Sequence, residues 1–212
     1  MSDPLERELR RGPDGGQVGD ATRRLVDKAL DEGLVAVAYA RTESPFGDLL
    51  VATTPRGLVR VAFLHAYDEE PVLAQLAERV SPRVLEAPGR LDDVRRQLDE
   101  YFAGRRKRFE LRTDRVLITG FARAVLGKTA RIPYGSYLTY GEVAAEAGSP
   151  RAHRAAGNAL ANNPIPIVIP CHRVLRSGGA IGNYGGGPEM KSRLLQMEGA
   201  SIRPDSAHPA ES

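Results

Sequence analysis

Cys171 and His172 stand side by side in the run IPIVIPCHRV, and Cys171 is the only cysteine of the 212-residue chain. A cysteine attacks carbon as the thiolate, so a reactive one needs a base or a positive field close by. His172, Arg173 and Arg176 are the nearest groups of that kind. A histidine used as a base also needs a carboxylate to fix its tautomer, and Glu189 and Glu198 both lie downstream, where spacing alone does not choose between them. The β-branched residues between Pro164, Pro166 and Pro170 predict an extended, stiff, buried segment that bends at Pro170. Neighbouring side chains on an extended segment point to opposite sides. Cys171 and His172 are therefore expected to exchange a proton through a water or a local turn. The plainer alternative, a packed core thiol, is the usual fate of a lone cysteine in apolar company.

The stretch GGAIGNYGGG that follows has six glycines in ten residues and one aromatic, Tyr184. Such a loop suits close backbone approach to a ligand. It lacks the GK[ST] ending of a phosphate loop. The GKT at 127–129 has Ala122 where a phosphate loop needs its first glycine, so nucleotide binding is set aside.

Upstream, LTYGEVAAEAGSPRAHRAAGNALANNP reads as two short helices. Thr139 and Glu142 form a capping box at the first. Gly148 stops it, and Ser149 with Pro150 predicts the start of the second. Pro164 ends that second helix near Asn163. Helix, turn, helix is an outline whose second helix enters a nucleic-acid groove. Ala152, Ala155, Ala156 and Ala159 give this helix a slim stripe, with Arg151 and Arg154 beside it. Close helix packing explains the same stripe without any ligand.

Before these elements, three β-type runs between 34 and 63 are split by SPFG and TPRG and predict an antiparallel meander. EEPVLAQLAERV (69–80) and LDDVRRQLDEYFAG (91–104) have helical apolar spacing and are expected to cover one face of that sheet. RRKRFEL (105–111) is read as a strand or a solvated basic edge. Another helix is expected from about Phe121. The resulting division is an extension over 1–33 containing a helix within ATRRLVDKALDEG, an α/β unit over 34–115, a second unit over 116–200, and a tail over 201–212. The fold class is α/β of the α+β kind.

Composition excludes several functions. One cysteine permits no disulfide within the chain and no cysteine-rich metal cluster, so no metal site is expected. No apolar run approaches the ~18 residues of a membrane span, and the N-terminus has no signal-peptide core, so a soluble, cytoplasmic protein without membrane partners is expected. Thirty basic residues against 27 acidic ones give +3, too mild a charge to establish nucleic-acid binding alone.

NPIPIVIPCHRV, SGGAIGNYGGG and LLQMEG together resemble the active-site segment of the O6-alkylguanine-DNA alkyltransferases, over about Phe121 to Gly199. The resemblance implies a ribonuclease H-like N-terminal domain and a helix-turn-helix, winged-helix-like C-terminal domain. It implies a repair protein that binds double-stranded DNA in the minor groove, flips out O6-alkylguanine, and O4-alkylthymine with it, and moves the alkyl group to Cys171 once, with no cofactor. A monomer is expected, with cooperative binding along DNA left open.

By resemblance, Cys171 is the acceptor, His172 the water-linked base, Glu198 the carboxylate and Asn163 the hinge. Arg154 fills the gap left by the flipped base, and Tyr140 contacts the guanine. Arg151, Ala155, Ala156, Gly157 and Lys191 join the DNA and substrate contacts. Val174 reads the exocyclic amine with its backbone, and Tyr184, Gly185 and Gly186 line the alkyl pocket. Many members have serine in place of Gly185, so a wider pocket is expected, and Asn158 often has a small counterpart. Two rivals remain: a non-catalytic lesion binder of the same fold, and a cysteine hydrolase, which the absence of a supporting context for His65, His153 and His208 disfavours.

Overall fold

The computed structural model describes Lys28 and residues 32–200. Most of the expected N-terminal extension, with its helix, and the tail over 201–212 lie outside the described residues.

The three apolar runs form β1 (Val37–Thr42), β2 (Leu49–Thr54) and β3 (Gly57–Phe63), paired antiparallel in sequence order. At the first turn the Ser44 hydroxyl donates to Gly47 O at 2.5 Å and accepts from the Phe46 N–H at 3.2 Å. The sheet is nevertheless mixed rather than purely antiparallel. A fourth strand, β4 (Val84–Glu86), runs parallel to β1 and gives the order β3-β2-β1-β4. Three residues are too few to show a period in the sequence.

Helices α1 (Glu69–Arg79) and α2 (Asp92–Phe102) form where apolar spacing places them, but on opposite faces of the sheet. Val72 and Leu76 of α1 pack on Val37, Leu50, Ala52, Val59 and Ala62. Val94, Leu98 and Tyr101 of α2 pack with Ala38, Ala40, Leu49 and Val51. Successive residues of β1 and β2 are buried on both faces, so these strands present no polar side that assigns a helix to one of them. The arrangement leaves α2 between the sheet and the C-terminal half.

RRKRFEL forms no strand. Beyond it the chain returns to β3, where Leu58 N–H donates to Arg112 O and Asp114 N–H to Leu58 O, each at 2.8 Å. Gly57, at φ 132°, permits this approach, because a Cβ there would lie 2.2 Å from Arg112 O. Further along the same outer edge, Val61 N–H donates to Pro164 O at 2.9 Å. The free edge of the sheet is thus covered by the linker and by the segment that leads to Cys171, which ties both halves to one strand.

The C-terminal half contains α3 (Gly120–Thr129), β5 (Leu138–Thr139), α4 (Tyr140–Glu146), α5 (His153–Ala161), β6 (Val174–Leu175) parallel to β5, and α6 (Pro188–Met197). Val125, Leu126, Val143, Ala144, Ala156 and Leu160 share one core with Val61 and Phe63 of β3. The capping box forms: Glu142 N–H donates to Thr139 Oγ1 at 3.2 Å and Thr139 N–H to Glu142 Oε2 at 2.6 Å. The second helix opens later than Ser149 and Pro150 predict. Ala152 N–H donates to Ser149 O at 2.9 Å, so Pro150 occupies the second position of a β-turn, a place its fixed φ also suits. No helix among the described residues is long and apolar enough to cross a membrane.

Candidate active site

Residues 164–170 are not extended. Ile169 N–H donates to Ile165 O, and Val168 N–H to Pro166 O, both at 2.9 Å, folding the run into a tight double turn. Ile167 at its centre has φ 72°, a conformation that costs a β-branched residue about 1–3 kcal/mol and persists only where the surroundings impose it. Asn163 is what closes the turn. Its Oδ1 accepts from Ile165 N–H at 3.1 Å, and its Nδ2 donates to Ile169 O at 2.8 Å and to Cys171 Sγ at 3.1 Å. Ile165, Ile167 and Ile169 are buried around it. The bend after Pro170 is real and takes the form of a 3₁₀ turn over Cys171–Arg173. Separation of adjacent side chains therefore owes nothing to strand geometry, yet no hydrogen bond joins the Cys171 thiol to the His172 ring.

His172 instead faces Glu198, with Nε2 3.0 Å from Oε1, both groups fully buried. Glu189, the other carboxylate left open by spacing, is exposed in the first turn of α6. Glu198 receives further donors: Arg173 Nη2 on Oε1 and Arg173 Nε on Oε2, each at 2.8 Å, Gly135 N–H on Oε2 at 3.3 Å, and Tyr101 Oη on Oε1 at 2.6 Å. Burial raises the Glu198 carboxyl, but hydrogen bonds and charge from His172 and Arg173 outweigh it and hold the group at about 2. Burial lowers His172 against the pull of Glu198. The imidazole is thus neutral, with its proton on Nε2 facing the ionised carboxylate. Nδ1 is left as an acceptor, buried and without a hydrogen-bond partner among the described residues.

Burial also raises the Cys171 thiol, opposed by the Asn163 hydrogen bond and by the charge of Lys191. Sequence proximity suggested Arg173 and Arg176 as the positive field. Arg173 is committed to Glu198 and, through Nη1, to Ile132 O at 2.6 Å, while Arg176 is exposed. Lys191 takes that place. Expected among the DNA and substrate contacts, it is fully buried, donates to Val174 O at 2.5 Å and lies 5.6 Å from the Tyr140 ring centre. Burial lowers it to about 8. A lysine in register with Leu194 and Leu195 on the apolar side of α6 was the available signal.

A cavity of about 690 Å³ opens beside Cys171, lined among others by Asn163, Phe63, Tyr67, Tyr184 and Gly185. Phe63 and Tyr67 come from the N-terminal half, which no motif suggested. A Cβ on Gly185 would lie 3.4 Å from the Tyr67 hydroxyl and 4.0 Å from the Phe63 ring, so these two side chains border the room that the glycine leaves. A Cβ on Gly186 would press on Met190 and Phe63. The Tyr184 ring meets His172 edge-on at 6.2 Å, and its buried hydroxyl has no hydrogen-bond partner among the described residues.

Tyr140, the first residue of α4, is half-buried, and burial and the nearby Cys171 raise its hydroxyl. On α5 the alanine stripe divides. Ala156 and Ala159 are buried, whereas Ala155, with Arg154 and Asn158 and with Arg151 in the turn before the helix, is exposed, and Gly157 faces the Tyr140 ring. Packing accounts for half of the stripe. The other half is a slim, basic outer face. Val174 is buried, and its carbonyl accepts from Lys191.

Two family models match the chain: 6-O-methylguanine DNA methyltransferase, ribonuclease-like domain, over residues 37–115, and the DNA binding domain of the same family over residues 120–200. A methylated-DNA–protein-cysteine methyltransferase from Methanosarcina acetivorans is 36% identical over 162 residues, covering 76% of this chain and 98% of the relative. The constitutive enzyme of that name from Bacillus subtilis is 34% identical over 168 residues, covering 78% and 97%. Among solved structures, Mycobacterium tuberculosis OGT in complex with DNA superposes with a TM-score of 0.65 at 34% identity, covering 76% of this chain and 92% of the other.

Proposed function

Because the chain belongs to the 6-O-methylguanine DNA methyltransferase family, and is with its relatives a DNA-repair methyltransferase that acts on a cysteine, we propose that Cys171 is the acceptor and that each molecule reacts once. The observation that carries this reading is the buried set Glu198, His172 and Asn163 around a single thiol, with His172 Nδ1 free to accept a proton.

In the proposed reaction the Cys171 proton passes through a water to His172 Nδ1, and Glu198 stabilises the imidazolium. The thiolate forms a bond to the alkyl carbon while the bond from that carbon to guanine O6 breaks, its electron pair remaining on the base. Tyr140 donates a proton to the departing guanine. Its raised pKa keeps the hydroxyl protonated until then. The thioether formed offers water no ready leaving group, so the thiol is consumed. O4-alkylthymine presents the same bond and is taken as a second substrate. Tryptic mass spectrometry after incubation with O6-methylguanine duplex tests the assignment: the Cys171 peptide gains one methyl group per molecule. An unmodified peptide from protein that binds the duplex would turn the reading into that of a lesion binder.

Double-stranded DNA is proposed to lie along the exposed Arg154 and Ala155 face of α5 and Arg151 in the turn before it, with the base flipped into the cavity. Flipping costs a few kcal/mol, which Arg154 offsets by entering the stack. Arg154→Ala is expected to slow transfer from duplex about 10- to 100-fold and transfer from free O6-benzylguanine less than about threefold. Equal losses on both would remove Arg154 from flipping. Glycine at 185, with Tyr67 and Phe63 as the far wall, supports acceptance of bulky adducts. O6-benzylguanine in DNA is expected to react within about tenfold of O6-methylguanine, and Gly185→Leu to slow the benzyl adduct selectively. A much slower benzyl transfer by the unaltered protein counts against the wide pocket.

A further inference from the structure

Glu198 has a contact that the proposed transfer does not use. Tyr101, in the last turn of α2, is fully buried, and its hydroxyl donates to Glu198 Oε1 at 2.6 Å while standing 3.4 Å from His172 Nε2. Its ring is fixed by Phe102, Phe109 and Tyr134, with centroids 5.1 to 6.3 Å away. Oε1 is the same oxygen that receives His172. Tyr101, His172 and Arg173 Nη2 therefore share one end of the carboxylate, and a hydrogen bond to a charged acceptor is among the stronger ones in a buried site.

We propose that Tyr101 is a positioning residue for alkyl transfer: it holds Glu198 against His172 and draws off part of its negative charge, so that His172 stays neutral and ready to accept a proton at physiological pH. The proposal rests on the reading of His172 as proton acceptor given above. Other groups bear on the imidazole as well. Arg173 and Lys191 oppose its protonation, Glu198 favours it, and Cys171, Tyr184 and, beyond Arg173, Tyr134 complete the ionisable surroundings. Burial and Glu198 raise the Tyr101 hydroxyl far above the ordinary range, so it remains a donor across the working pH. The geometry gives α2 a second role, since the helix that packs the sheet also reaches the transfer site.

Tyr101→Phe keeps the ring and removes only the donor. With Oε1 relieved of Tyr101, Glu198 stabilises the imidazolium more, and the midpoint of the acid limb of the transfer rate on O6-methylguanine duplex rises by about one pH unit. The variant is then about tenfold slower than wild type on the acid side and close to it on the alkaline plateau. Replacing Tyr101 by 3,5-difluorotyrosine, a stronger donor of nearly the same shape, moves the limb the other way. The ¹³C shift of His172 Cε1 follows the same titration without any substrate. A loss of rate equal at every pH, or an unmoved midpoint, overturns the role of Tyr101 and leaves the relay standing. If the wild-type rate shows no acid limb, or keeps it in His172→Gln, the relay reading itself fails and the role of Tyr101 with it.

Discussion

The Cys171→Ser variant is expected to bind O6-alkylguanine duplex and leave the alkyl group on the base, with transfer reduced on the order of 10⁴-fold or more. The reason lies in what the site supplies. Lys191 and the Asn163 amide favour a thiolate, and His172 Nδ1, the proposed proton acceptor, belongs to a neutral, buried imidazole whose basicity is already lowered. That machinery suffices for a thiol and falls far short for a serine hydroxyl, which is a much weaker acid. The fold should barely respond, since a hydroxyl can still accept from Asn163 and the cavity beside it is open. DNA affinity should also persist, because the outer face of α5 is unaffected. Transfer by Cys171→Ser within about tenfold of wild type would sink the acceptor assignment.

The candidate site is legible in the sequence wherever its parts are close along the chain or carry a motif. Cys171, His172, Asn163 and the glycine loop belong to one run, and Thr139 with Glu142 announces α4 through a capping box. What escaped was set by contacts that no spacing encodes. The proline-bounded run looks extended because its residues are β-branched, yet Asn163 bonds to both ends and forces Ile167 to a positive φ. Arg173 reads as a field for the thiol but is consumed by Glu198, and Lys191, which carries no signal of its own near the cysteine in the sequence, is the buried charge near Cys171. Tyr101 fits the apolar stripe of α2 with Val94 and Leu98, and only the fold shows that its hydroxyl ends on Glu198.

The placement of α2 explains why that escape was unavoidable. Both α1 and α2 are amphipathic, and the strands between them are apolar on both sides, so nothing local sends α2 towards the C-terminal half. Its position follows from the parallel strand β4, which lies between the two helices in the chain, and from the covering of the β3 edge by Arg112, Asp114 and Pro164. The same strand edge that protects the sheet carries the cysteine segment. Burial of the site and integrity of the N-terminal half are thereby one problem rather than two.

Glu198→Gln is expected to damage both stability and transfer. The amide has nearly the shape of the carboxylate, but every neighbour of Glu198 is a donor: Tyr101, His172, Arg173 and Gly135. An amide NH₂ must face one of them, and Arg173, 7% exposed, loses its counter-charge. Breaking such a buried pair costs about 3–5 kcal/mol. The folded carboxyl at about 2 lies below its ordinary value of 4.5, so its stabilisation is complete above about pH 4.5 and fades as pH falls towards 2. That displacement amounts to roughly 3 kcal/mol, in line with the cost of breaking the pair. Urea unfolding of wild type and variant should therefore differ most near neutral pH, draw together below about pH 4.5 and converge only at about pH 2 and below. Transfer should slow by about 10²–10⁴, because a neutral amide neither stabilises the imidazolium nor fixes the proton on Nε2. A stability gap that is the same in acid and at neutrality would show that the charge of Glu198 is not what holds Arg173 and His172 in place.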